Sequence, residues 1–90
     1  LGDLKPLFEG AAKNAISDAI FAFSSETLPE QMFAGADYMV GAFQRFAHTE
    51  AYVRRELDAA GFDCLEAGDI TVRHEQGLPI YGHLFVARKR

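Results

Sequence analysis

The sequence predicts an α/β fold, and three stretches carry that prediction. Residues 19–24, Ala-Ile-Phe-Ala-Phe-Ser, are rich in strand formers and too few for a buried helix; since they do not alternate, they read as a strand buried on both faces. Residues 49–61 carry a complete helix signature. Residues 70–75 and 80–87 flank the turn chemistry of Gln76-Gly77-Leu78-Pro79 and read as an antiparallel hairpin. The order is strand, long loop, helix, strand, turn, strand.

The helix is the clearest element. Val53, Leu57 and Ala60 fall at i, i+4 and i+7 and make one apolar stripe, while Glu50, Arg54, Arg55 and Asp58 point elsewhere. Thr49 is an N-cap that accepts a first-turn N–H, and Glu50 adds negative charge at the positive end of the helix dipole. Gly61 suits the left-handed position after the last turn, with Phe62 placed to touch Leu57. Residues 45–48 form a polar lead-in.

A first helix is predicted from Leu4 to Asn14 or Ala15, capped by Asp3, with Pro6 early enough that its missing N–H does no harm. Its stripe is Leu4, Leu7, Phe8, Ala11 and Ala15. Residues 25–47 give mixed signals: residues 29–33 can start a helical turn, Ala34-Gly35-Ala36 interrupts it, and Tyr38, Val40 and Ala42 alternate. Six aromatic or methionine side chains argue for an ordered, partly exposed lid and against disorder. Residues 62–66 read as apolar and irregular. Ile70 and Val72 alternate with Thr71 and Arg73, the pattern of a half-exposed strand.

Composition narrows the function classes. Ninety residues, 49% of them apolar, make one domain with a real core. The net charge is −4 and the nine basic residues are scattered apart from Arg88-Lys89-Arg90, so a nucleic-acid partner is not expected. No apolar run approaches the ~20 residues needed to span a bilayer, and no signal segment is visible. Cys64 stands alone and reads as a buried, inert thiol; single-cysteine usage fits a cytoplasmic protein. The chain opens on Leu1 and not on methionine, which fits a fragment or a processed product.

Motif chemistry is sparse. His48, His74 and His83 have no second ligand at metal-binding spacing, so no metal site is expected; His74 and His83 are expected to face one another across the hairpin. Ser24-Ser25-Glu26 follows a strand but lacks the glycine framing of a nucleophile elbow, which argues against an esterase. Glycines are dispersed, with no phosphate-cradling pattern. What remains is one end of the sheet. Ser24 and Glu26 at the strand end, Tyr38 and Arg45 in the long loop, and His48, Thr49 and Tyr52 around the helix start should converge there, since ligands of open α/β sheets bind beyond the strand carboxyl ends. Arg45 supplies a permanent cation and His48 a proton exchanger near neutral pH. The bland alternative pairs Arg45 with Glu26 or Glu50 and leaves His48 as a cap.

Four stretches in order carry a resemblance: residues 3–8, Asp-Leu-Lys-Pro-Leu-Phe; residues 20–24 with Glu26; residues 45–53, Arg-Phe-Ala-His-Thr-Glu-Ala-Tyr-Val; and residues 77–88, Gly-Leu-Pro-Ile-Tyr-Gly-His-Leu-Phe-Val-Ala-Arg. Together they resemble the C-terminal half of class I S-adenosylmethionine-dependent methyltransferases, most of all bacterial predicted methyltransferases that often carry tetratricopeptide repeats upstream. The resemblance implies a Rossmann-like sheet in the order 3-2-1-4-5-7-6, of which residues 19–24, 70–75 and 81–87 are the fifth, sixth and seventh strands, the sixth and seventh an antiparallel hairpin, with flanking helices. Residues 1–90 are then a single partial domain on the substrate side. Leu1, Gly2 and Asp3 become the exit from the fourth strand, beside the methyl donor, and Glu26, Tyr38, Arg45, His48 and Tyr52 shape the pocket of an unknown methyl acceptor.

The family's glycine-rich donor loop and ribose-binding acid precede that fourth strand and have no counterpart in these residues. S-adenosylmethionine is therefore expected to bind only with an upstream half, and this chain alone is expected to be inactive. Where the family usually has Pro-Gly-Gly before the fifth strand, Ser17-Asp18-Ala19 stands, with Asn14 able to take the left-handed position. Two rivals remain: a non-catalytic module that forms a homodimer through the bare edge of residues 19–24 or pairs it with an upstream domain, and a free-standing α+β binding domain in which residues 19–24 do not lie beside residues 81–87.

Overall fold

The computed structural model describes residues 2–41 and 45–90. In order they form α1 (Lys5–Asn14), β1 (Ile20–Glu26), a 3-10 turn (Glu30–Phe33), β2 (Tyr38–Val40), β3 (Phe46–His48), α2 (Glu50–Ala59), β4 (Phe62–Glu75) and β5 (Leu78–Lys89). This is a small α/β domain with antiparallel pairing. The main sheet has the order β1-β5-β4, with β5 antiparallel to both neighbours; β2 and β3 make a separate two-stranded ribbon. It follows that β1 and β4 run parallel, joined by a crossover that contains α2, with β5 inserted between them.

Both helices lie on one face. Leu4 and Phe8 from the α1 segment and Tyr52, Val53 and Leu57 from α2 are buried with Phe62, Phe85 and Ala87, and Phe21 and Phe23 of β1 pack against them. Phe8 meets Phe23 at 5.2 Å between ring centroids, and Phe23 stacks on its register partner Phe85 at 5.3 Å. The core is an aromatic layer between one sheet face and two helices.

That arrangement corrects the expectation of a strand buried on both faces. Along β1, Phe21, Phe23 and Ser25 turn inward, whereas Ile20, Ala22 and Ser24 are exposed, Ile20 by 60%. The run is apolar on both faces, but the described residues place helices on only one.

Elsewhere the local chemistry sets the bounds. Thr49 Oγ1 accepts from the Tyr52 N–H at 3.1 Å and Gly61 takes φ 95°, so α2 starts and stops where its end signals lie. Asp3 caps α1 from one residue further out, its carboxylate accepting from the Lys5 N–H at 3.0 Å, while Leu4 holds the N-cap position. Leu7 is exposed and Ala12 packs against the core. The left-handed residue before β1 is Asp18 at φ 69°, not Asn14, whose amide donates back to the Gly10 carbonyl.

The irregular segment from residue 62 is continuous strand. β4 runs fourteen residues, and bulges between Cys64 and Glu66 and between Thr71 and Arg73 absorb its broken alternation. Gln76 and Gly77, both at positive φ, make the hairpin turn. The resulting register pairs His74 with Pro79 and His83 with Asp69, so the two histidines do not face one another. Cys64 is half-buried at the first bulge, its thiol 3.5 Å from the Glu66 carbonyl. In the lid, the 3-10 turn covers residues 30–33 and the residues around Tyr38 pair with the lead-in to α2; Ala42 lies outside the described residues. No described helix is long and apolar enough to cross a membrane.

At Gly82 the sheet requires the absence of a side chain. It stands opposite Glu26 on one side and Ile70 on the other, and a Cβ there would drive into the Ser25 carbonyl oxygen and the Val72 methyl.

Candidate functional site

Register delivers His48 to the centre of the site. It is the last residue of β3, opposite Tyr38 on β2 and directly before the α2 N-cap, and it is buried. Its Nε2 lies 2.9 Å from the Gly2 carbonyl oxygen and its Nδ1 lies 2.9 Å from Ser25 Oγ. A carbonyl only accepts, so Nε2 carries the proton; in the neutral ring Nδ1 then offers a lone pair, and the Ser25 hydroxyl donates to it. The Tyr52 ring lies 9° from parallel to the imidazole at 5.9 Å, and Tyr38 meets it edge-on at 6.0 Å. Thr27 Oγ1 donates to the His48 carbonyl at 3.0 Å.

Tyr52 ties the same place to the chain's first described residues. Its hydroxyl accepts from the Leu4 N–H at 2.9 Å and donates to Asp3 at 3.3 Å. Burial pushes the phenol above its ordinary value, the nearby Asp3 carboxylate adds to that, and the Leu4 N–H opposes it. At neutral pH Tyr52 is a protonated donor.

Beside this cluster runs a charge chain. The Arg73 guanidinium bridges Glu26, at 2.9 and 3.0 Å, and Glu75, at 2.7 Å, and Arg45 reaches Glu75 at 3.5 Å. The two carboxylates hold Arg73 firmly protonated, above its ordinary value. Glu26 is thereby engaged with Arg73, and Arg45 pairs with neither Glu26 nor Glu50 but with Glu75.

Two hollows flank these groups. The larger, about 700 Å³, is walled mainly by apolar residues such as Leu28, Ile70, Leu78, Ile80 and Tyr81 and holds neither histidine nor cation. The smaller, about 580 Å³, is the candidate site: Ser25 and His48 line it together with Ser24, Arg45, Glu26 and the apolar Leu4, Leu7, Phe8, Phe23 and Phe46.

Of the residues expected at this end of the sheet, Tyr38, His48 and Tyr52 form one ring cluster, and Glu26 and Arg45 line the adjoining cleft. Leu1 lies outside the described residues. Gly2 packs so closely under Phe46 and Tyr38 that a Cβ would meet Phe46 at 2.9 Å, and its carbonyl serves His48; Asp3 serves Tyr52 and the Lys5 N–H. Both thus make contacts within the chain. Phe46 and Arg73 are not singled out from the sequence, and Ser25 is set aside there for want of glycine framing. Ser25 had a signal: it continues the i, i+2 series Phe21, Phe23, which puts it on the inward face.

Away from the cleft, His83 Nε2 sits 3.2 Å from Asp69 and 3.8 Å from Glu50. Among the described residues no group of three or more His, Cys, Asp or Glu side chains is arranged to hold a metal ion. Comparison with protein-family models, with curated proteins and with solved structures finds no match.

Proposed function

We propose that this chain is the acceptor-side half of an S-adenosylmethionine-dependent methyltransferase of the Rossmann-like class, one that works in the cytoplasm. The observation that carries this is the sheet: β5 lies between the parallel β1 and β4 and is antiparallel to both, the arrangement expected of the family's strands 5, 7 and 6. The helical crossover between β1 and β4 fits the same pattern. The donor is held only with the upstream half, which would bring the glycine-rich loop and the ribose-binding acid beside Gly2 and Asp3. This chain's part is to bind and orient the acceptor, with His48 and Tyr52 holding the wall, Arg45 offering a cation at the rim, and Phe46 supplying an apolar surface.

Two measurements test it. Calorimetry with S-adenosylmethionine should give no binding heat for the 90-residue chain and a clear isotherm once the donor half is joined to it; tight binding by the chain alone overturns the proposal. In the joined enzyme the double variant Arg45→Ala, His48→Ala should lose methyl transfer, and full activity removes the site assignment.

A second reading draws on the free edge of β1, which within its sheet pairs only with β5 among the described residues and starts at an exposed Ile20. On this reading the chain is a binding module that forms homodimers through the edge. Sedimentation at high concentration should show a dimer; a strict monomer ends this version.

A further inference from the structure

We propose that Ser25 is an activated nucleophile and that this chain, without any methyl donor, cleaves esters of apolar carboxylic acids. The proposal does not rest on the methyltransferase reading, since every group it needs lies in the described residues. Three observations support it. First, the hydrogen-bond chain has a defined polarity. Because the Gly2 carbonyl takes the Nε2 proton, a neutral His48 ring presents its Nδ1 lone pair to Ser25 at 2.9 Å, a closer acceptor for the hydroxyl proton than the Glu26 carbonyl at 3.5 Å. This is the relation of nucleophile, base and orienting acceptor, with a main-chain carbonyl in the orienting role.

Second, the imidazole is held in place. Tyr52 stacks on it, Tyr38 closes its edge, and the Thr27 hydroxyl fixes the main-chain carbonyl of the same residue. A base that must receive a proton and return it gains from such fixed orientation. Third, Ser25 is buried yet lines the 580 Å³ cleft, whose wall, polar at Ser24, Glu26 and Arg45, offers an acyl chain the apolar side chains of Leu4, Leu7, Phe8, Phe23 and Phe46. Arg45, which also reaches Glu75 at 3.5 Å, lines the same cleft and is the cation that an oxyanion there would meet.

The step balances within these groups and water. Ser25 Oγ attacks the acyl carbon as its proton passes to His48 Nδ1, and Nε2–H keeps its bond to Gly2. The tetrahedral adduct collapses, the bond from acyl carbon to alkoxide oxygen breaks, and the departing alkoxide takes the proton from Nδ1. Water then attacks the Ser25 ester by the same route, releasing the carboxylic acid and restoring the hydroxyl.

The test uses the 90-residue chain, p-nitrophenyl butyrate as substrate and an alkyl fluorophosphonate as a trap for activated serine. The expected result is one phosphonate per chain, mapped by mass spectrometry to Ser25, together with ester hydrolysis that falls about 100-fold or more in Ser25→Ala and in His48→Gln. Ser17→Ala, which alters an exposed serine before β1 and outside the cleft, should leave both unchanged. Hydrolysis undiminished in Ser25→Ala, or a wild-type chain left unlabelled at Ser25, overturns the proposal. The labelling uses unaltered protein, so it decides the question even if a substitution prevents folding. Methyl transfer plays no part in either readout, so this proposal and the methyltransferase reading stand or fall separately.

Discussion

The two faces of the main sheet are made by alternate residues of the same strands, yet only one is a core. Phe85 on β5 is fully buried against Phe23, while the adjacent Leu84 is 40% exposed. On β1, Phe21 and Phe23 lean on α1 and Ile20 stands in the open. Hydrophobicity does not separate the faces, since Ile20 and Leu84 are as suited to burial as their neighbours. What separates them is the siting of both helices on one side. Strand composition states what a strand is able to bury, not what covers it, and an uncovered apolar face of this kind is where a partner or an upstream half would add the most.

Substitutions on each side can break that contrast. Phe85→Ala removes a ring from the centre of the aromatic layer and should lower stability by about 3–5 kcal/mol in urea unfolding. Gly82→Ala pushes a methyl into the Ser25 carbonyl and Val72, and should cost about 1–3 kcal/mol by the same measurement; because the push falls on Ser25, ester hydrolysis should fall with it. Tyr52→Phe leaves the stacking on His48 but deletes the hydroxyl between Leu4 and Asp3, at a cost of about 1 kcal/mol.

That variant also carries a pH signature. The folded phenol titrates above its ordinary value of 10.0, so as pH rises past about 10 the unfolded chain gives up a proton that the native state retains. The contribution is complete below that pH and is lost as pH climbs through the raised value. Wild-type stability should therefore fall more steeply above pH ~10 than that of Tyr52→Phe in urea titrations across the alkaline range. The smallest effect is expected on the open face: Leu84→Ala should change stability by no more than about 0.5 kcal/mol in the isolated chain. If an upstream half covers that face, the same substitution becomes costly in the joined protein, which makes Leu84 a direct gauge of coverage.

Several elements were legible because their signals are local. Thr49 and Gly61 mark the ends of α2 through hydrogen bonding and backbone freedom that depend on neighbouring residues alone. Gln76-Gly77 likewise marks its turn. The length of β4 was not legible, since bulges at Cys64 and Thr71 interrupt the alternation by which strands are recognised while leaving the ladder to continue. At the site, grouping His48, Tyr52 and Tyr38 followed from chain order and the tendency of ligands to sit beyond strand ends. Ser25 escaped because glycine framing was the criterion applied to it, whereas its importance lies in a partner 23 residues away.

The sequence alone determined which segments are helical, where α2 ends and where the hairpin turn begins, and that an apolar strand precedes them, all through contacts within a few residues; that the turn closes at Gly77 and the last strand starts at Leu78 it did not. Tertiary structure decided which face of that strand is covered, that Arg45 answers to Glu75, and that the Gly2 carbonyl sets the tautomer of His48. Such pairings join residues 30 to 46 positions apart, and they depend on sheet register and helix siting, which no local pattern encodes.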